Sequence, residues 1–191
     1  LKHGDSFLVA NAWGDVTGGA DGLFYQDTRI LSRLVLTIGN ARPSRLSSGV
    51  TESNVFFTCH STNRPLPPMG GRSAPAGIIH IERRRFLFET RLYERVRIVN
   101  HGMEDVVLPV AYSFAADFAD IFQVRGSPRA QSGHSLDPVL DGRRVQFAYE
   151  GLDGVTRKTC LAFSEPPARL GPDRAEFMLS LSKGRSVDLF V

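Results

Sequence analysis

Ile79-His80-Ile81-Glu82-Arg83-Arg84-Arg85-Phe86-Leu87-Phe88-Glu89-Thr90-Arg91-Leu92-Tyr93-Glu94-Arg95-Val96-Arg97-Ile98-Val99-Asn100 decides the fold class. Phe86, Phe88, Thr90, Leu92, Val96 and Ile98 alternate with Arg85, Glu89, Arg91, Arg95 and Arg97. A period of two is a strand signature, because successive side chains of an extended backbone point to opposite faces. The phase holds for about thirteen residues against the usual five or six, which predicts one long bent strand or two strands in register. The alternation predicts an inter-sheet core that includes Phe86, Phe88, Leu92, Val96 and Ile98, with Leu108, Val110 and Tyr112 of the strand that follows. Glu94 falls on that apolar side, and a buried carboxylate there calls for an arginine from a neighbouring strand.

Outward from this stretch the alternation continues. After Asn100-His101-Gly102 it resumes with Val106, Leu108, Val110, Tyr112 and Phe114, which reads as a hairpin, with Pro109 marking an edge or a bulge. Val145, Phe147 and Tyr149 turn through Gly151-Leu152-Asp153-Gly154 into Val155, Arg157, Thr159, Leu161 and Phe163. Phe177, Leu179 and Leu181 turn through Ser182-Lys183-Gly184-Arg185 into Val187, Leu189 and Val191. Residues 28–38 fit a helical stripe as well, but Val35, Thr37 and Ile38 are β-branched and Gly39-Asn40 is a hairpin signal, which favours strand. Residues 62–77 and 126–142 have loop composition, and residues 14–22, rich in glycine, read as a turn between strands. The expected architecture is one all-β domain over residues 1–191, an antiparallel β-sandwich with little or no helix.

Composition narrows the function. The 191 residues carry 23 basic and 20 acidic side chains, too near balance for a nucleic-acid footprint. Arg83, Arg84, Arg85, Arg91, Arg95 and Arg97 suggest a basic stripe, yet Glu89 interrupts it and no ladder of aromatics is expected beside it, so a solvated face is the simpler reading. The longest apolar runs fall far short of a membrane span, and no membrane partner is expected. Cys59 and Cys160 are too few for a disulfide framework, and His3, His60, His80, His101 and His134 are too dispersed for a metal centre, so neither a metal nor a cofactor is expected. The glycine segment lacks the Lys-Ser/Thr pair and following helix of a phosphate loop, and no Ser occupies a nucleophile elbow.

The sharpest constellation is Asp117-Phe118-Ala119-Asp120-Ile121-Phe122-Gln123-Val124-Arg125-Gly126. Two carboxylates beside aromatics fit glycoside chemistry in residue type, whereas capping and turn hydrogen bonds are the structural reading. His80 and Glu82, on one strand face, supply a sugar-modifying alternative if that face is concave.

This segment, together with Gly22-Leu23-Phe24-Tyr25-Gln26-Asp27-Thr28-Arg29 and the strand ending Tyr93-Glu94-Arg95-Val96, resembles the N-terminal domain of bacterial and archaeal glycogen debranching enzymes of the amylo-α-1,6-glucosidase type. Gln123 stands where that family more often has Glu. The resemblance implies a supersandwich-like module in a cytoplasmic glycoside hydrolase. Its partner is a downstream catalytic (α/α)6 toroid absent from this chain, with an α-glucan as a further possible partner. No catalytic residue is then expected here. Asp117, Phe118, Asp120, Phe122 and Arg125 become substrate-binding or domain-interface candidates, with Asp27 and Arg29 as a second pair. The alternative from another class is a stand-alone carbohydrate-binding or mutarotase-like sugar-modifying domain.

Overall fold

In chain order, β1 (Lys2–His3), β2 (Ser6–Val9), β3 (Gly22–Tyr25) and β4 (Thr28–Leu31) build a first antiparallel sheet. β5 (Arg33–Ile38) leaves it, and β6 (Ser44–Val50) and β7 (Phe56–Thr62) open the second. β8 (Leu66–Met69) and β9 (Arg72–Ala74) form a small ribbon. β10 (Ile79–Phe88), β11 (Arg91–Asn100) and β12 (Val106–Ala115) are the long strands, followed by one helical turn, α1 (Ile121–Val124). β13 (His134–Asp141), β14 (Arg144–Glu150) and β15 (Thr156–Ala162) form a meander, and β16 (Arg169–Leu170), β17 (Arg174–Leu181) and β18 (Ser186–Phe190) close the chain. This computed structural model describes residues 1–69, 72–127, 129 and 131–191.

The all-β class holds, and every described strand pairing is antiparallel. The two-sheet sandwich does not. The strands divide into sheets ordered β1-β2-β3-β4, β18-β11-β10-β7-β6, β16-β17-β12-β5 and β13-β14-β15, set in a ring, propeller-like, round one shared core. Two of the expected hairpins are the reason. β11 and β12 do not pair with each other, and neither do β17 and β18; β11 pairs with β10 and β18, while β12 pairs with β17 and β5. Both connections cross from one sheet to the next at the same corner, which buried Asn100 holds. Its Nδ2 donates to the Glu104 and Leu181 carbonyls at 2.7 and 3.3 Å, and its carbonyl accepts from Gly184 N at 3.0 Å. Pro109 lies just beyond the stretch of β12 that β5 covers, where a missing N–H costs no ladder bond.

The deciding stretch is itself a hairpin. β10 and β11 pair from Ile79↔Asn100 to Phe88↔Arg91 through Glu89-Thr90, with Glu89 at φ 51°. Directly opposed residues share a face, so Leu87 joins Leu92 on the inside and the inward parity of β10 is odd. The expectation that Phe86 and Phe88 are core is therefore corrected: they are exposed, while Val96, Ile98, Leu108, Val110 and Tyr112 are buried as expected. The basic stripe splits for the same reason, since Arg83 and Arg85 point inward and Arg84, Arg91, Arg95 and Arg97 outward.

The two inward arginines meet Glu94 in the core. Arg83 Nη2 donates to Glu94 Oε1 and Oε2 at 3.3 and 3.1 Å, and Arg85 Nε and the Tyr112 hydroxyl also donate to this carboxylate. Arg83 Nη1 donates in addition to Asp15 Oδ1 at 2.6 Å. Asp15 belongs to the glycine-rich turn, which is thus a core element: its carboxylate accepts from Leu36 N at 3.2 Å, and Gly14 lends its carbonyl to Arg85. Two of the loop expectations also change. Residues 66–69 and 72–74 pair as a ribbon, and residues 134–141 form β13; Gly70, Gly71, Pro128 and Ala130 of those stretches lie outside the described residues.

Candidate functional site

Two of the three segments that carry the resemblance, 22–29 and 117–126, dock on each other though far apart in sequence. β3 and β4 are joined by Gln26-Asp27, both in the left-handed region at φ 44° and 61°, as a tight two-residue hairpin requires. The backbone of that turn then pairs with the second motif: Arg29 N donates to the Ala119 carbonyl and Ile121 N to the Asp27 carbonyl, each at 2.8 Å. Side chains lock the junction. Arg29 forks onto Asp117, with Nε to Oδ1 at 3.1 Å and Nη2 to Oδ2 at 2.5 Å, and its Nη1 reaches the Gly19 and Asp21 carbonyls at 2.6 and 3.3 Å. Its stem passes over Gly22, where a Cβ would lie 2.5 Å from Arg29 Cδ, so the glycine is part of the fit.

Asp120 plays another part. It is the N-cap of α1, its Oδ1 accepting from Phe122 N at 2.8 Å and Gln123 N at 3.0 Å. Gln123 Oε1 accepts in return from Asp120 N at 3.1 Å, completing a capping box. Glutamine serves this role as glutamate would. The second Asp120 oxygen pairs with Arg129.

Of the seven candidates, the structure thus joins Asp117 to Arg29 and sets Asp120 beside them. Phe118 is buried, at φ 53°, with its ring stacked on Tyr149 at 5.6 Å and 12°. A bulky residue in the left-handed region is held only by surrounding structure, here that ring pair. Phe122 is 63% exposed, and Asp27 and Arg125 are exposed.

Beside the turn lies an open cleft of about 270 Å³, lined among others by Thr28, Asp120, Gln123, Tyr149, Asp153 and Arg157. Residue-type reasoning about the first motif pair missed its far wall. Asp153 and Arg157 come from the β14–β15 hairpin, where Arg157 forks onto Asp153 at 3.1 and 2.7 Å. The Arg157 fork, with the Val155 amide, holds the Asp153 carboxyl down to about 2. The only advance signal was the Gly-Leu-Asp-Gly turn with an arginine four residues after its aspartate. Tyr149 shapes the floor, its hydroxyl accepting from Gly133 N at 2.7 Å. The cleft offers carboxylate, guanidinium, amide and hydroxyl groups around an aromatic base, a lining suited to a neutral polyol.

No group of three or more metal-ligating side chains occurs among the described residues. His80 and Glu82 share the outer face of β10, as expected, but both are engaged. His80 Nε2 lies 3.1 Å from His60 Nδ1, and burial, followed by the neighbouring His60 and His101, lowers its pKa. Glu82 Oε1 pairs with Arg84 and Arg95 at 2.8 and 2.7 Å.

Fold and site together define an all-β antiparallel domain whose motif residues form one interlocked surface beside a polar cleft. The chain belongs to the family described as the N-terminal domain of some glycogen debranching enzymes, whose sequence model matches residues 1–191. No curated protein matches the chain. No helix among the described residues is long and apolar enough to cross a membrane.

Proposed function

We propose that the chain is a non-catalytic N-terminal module of a cytoplasmic glycogen debranching glycoside hydrolase of the amylo-α-1,6-glucosidase type. It packs on the catalytic toroid of the same polypeptide and borders the mouth that receives the α-glucan. The observation that carries this reading is Phe122, a large apolar side chain left 63% exposed on a turn that a capping box fixes and whose Asp120 and Gln123 line the polar cleft. An aromatic in that position has lost its freedom before any partner arrives, so covering it costs little further ordering.

The carboxylates support the non-catalytic part. Asp117 is committed to the Arg29 fork and Asp120 to the first amides of α1, whereas a general acid or nucleophile must meet substrate. In the full-length enzyme, Phe122→Ala and Asp120→Ala are expected to lower activity on branched glucan. Phe122→Ala leaves the unfolding midpoint of the 191-residue chain near wild type, as expected for an exposed position. Full activity in both variants, or glucose release from a branched oligodextrin by the isolated chain that depends on Asp117 or Asp120, would overturn the proposal.

A further inference from the structure

The outer face of the five-stranded sheet carries an aromatic row unrelated to the cleft. Phe56 on β7, Phe86 on β10 and Tyr93 on β11 stand opposite one another in register, and Phe190 on β18 sits one step along, opposite Arg95. They are 49%, 37%, 38% and 50% exposed. Phe86 and Tyr93 stack at 4.6 Å and 8°, and Phe56 approaches Phe86 at 5.9 Å. With strands about 4.8 Å apart, four of them carry the row over about 14 Å across the sheet, along one wall of a groove of about 680 Å³. The groove's other flank is polar: Arg84 and Arg95 both pair with Glu82, Arg95 lies 3.9 Å from Asp188, and Arg97 stands in register between Glu82 and Asp188.

We propose that this groove is a glucan-binding surface separate from the cleft, holding a linear run of glucose units across the strands. A row of rings suits a linear ligand rather than a compact one, and the guanidiniums that line the groove, Arg84 and Arg95, are already engaged by Glu82, which suits a neutral ligand rather than a phosphate or an acidic peptide. Sugars meet both demands, with C–H faces that lie on aromatic rings and vicinal hydroxyls that answer paired guanidinium and carboxylate groups. The choice of α-glucan among sugars rests on the function proposed above; the groove as a site for a linear sugar does not.

The test is affinity electrophoresis of the 191-residue chain through gels with and without glycogen. Glycogen should slow the chain, and free maltoheptaose, unlike a cello-oligosaccharide, should restore its migration. Phe86→Ala and Tyr93→Ala should each weaken retention about tenfold, roughly the loss of one ring contact. Met103→Ala, at an exposed apolar position outside the groove's lining, should leave it unchanged. If either groove variant misfolds by circular dichroism, Phe56→Ala and Phe190→Ala, at the more exposed ends of the row, replace it. Equal migration with and without glycogen overturns the proposal, as does retention that survives loss of both central rings or that Met103→Ala abolishes as fully as the groove variants do. A concentration-dependent dimer that Tyr93→Ala dissolves and glycogen leaves intact also overturns it, since the face then binds a second copy. None of these outcomes bears on the activity test of Phe122 and Asp120 in the full-length enzyme.

Discussion

Replacing Glu94 by glutamine removes one charge from the core while keeping the side chain's size and an oxygen for Tyr112. In the wild type the fully buried cations of Arg83 and Arg85 are matched by Asp15 and Glu94. Glu94→Gln leaves one buried cation unmatched, and breaking a buried pair on one side costs about 3–5 kcal/mol. Acid titration gives an independent measure. Burial alone would raise the Glu94 pKa, but the Arg83 and Arg85 guanidiniums and the Tyr112 hydroxyl outweigh it and hold the carboxyl down from 4.5 to about 2. A depressed carboxylate stabilises the fold fully above its unfolded value and loses that contribution as pH falls through the folded one. The shift corresponds to about 3 kcal/mol, present above pH 4.5 and lost towards pH 2. The assay is urea unfolding followed by the fluorescence of Trp13, whose indole donates to the Pro43 carbonyl at 3.0 Å beside this cluster. Glu94→Gln should lose several kcal/mol at pH 7 and no longer show the Glu94 part of the acid decline. The double change of Arg85→Met with Glu94→Leu should cost less than Glu94→Gln alone, because it removes both charges. A loss under about 1 kcal/mol at pH 7, or an unchanged acid profile, would refute the charge-balance argument.

Arg29→Met should destabilise the chain by about 2–3 kcal/mol, because it strands the Gly19 and Asp21 carbonyls as well as Asp117; equilibrium unfolding measures it. Asp120→Ala should cost only about 1 kcal/mol, the worth of a lost N-cap, by the same measurement. A thiol reagent should label exposed Cys160 in the native state and spare Cys59, whose thiol burial pushes up, until the chain unfolds; mass spectrometry of the labelled peptides distinguishes them. Gly14→Ala should unfold at lower denaturant than wild type, since φ there is 82° and a Cβ would lie 2.6 Å from the Phe57 ring.

Strands were readable because alternation is local, and so was the need of Glu94 for an arginine partner. Facing was not, because a two-residue loop reverses parity. Leu87 and Leu92 oppose each other across Glu89-Thr90, so the even-numbered run of Phe86, Phe88 and Leu92 looks continuous while crossing from one face to the other. Reading the 79–100 stretch as a hairpin would have sent Phe86 and Phe88 outward and Arg83 and Arg85 inward, to meet Glu94. Sheet membership was harder still. Nothing in Ser182-Lys183-Gly184-Arg185 distinguishes a hairpin turn from a corner, and it is Asn100, buried and bonded to both connections, that makes it a corner. Asp15 was hidden by its neighbours: glycines that read as a loose turn let the backbone approach Arg85 closely.

The same logic separates what the site residues hold together from what they leave over. Arg29, Asp117, Gly22, Asp120 and Gln123 satisfy one another, and such a set is kept by folding alone, so its specificity as a motif is no argument for chemistry at those atoms. Phe118 joins that set through Tyr149. What remains for a partner is the outside of the junction: Phe122 and Arg125 on the capped turn, the Asp27 side chain at the hairpin tip, and the cleft wall of Asp153 and Arg157. The ordering of those exposed groups depends on the buried ones, since α1 keeps its place through the Asp27 carbonyl and the Asp120 cap. A loss of function in Arg29 or Asp117 variants would therefore report the position of α1, and only the exposed residues report contact.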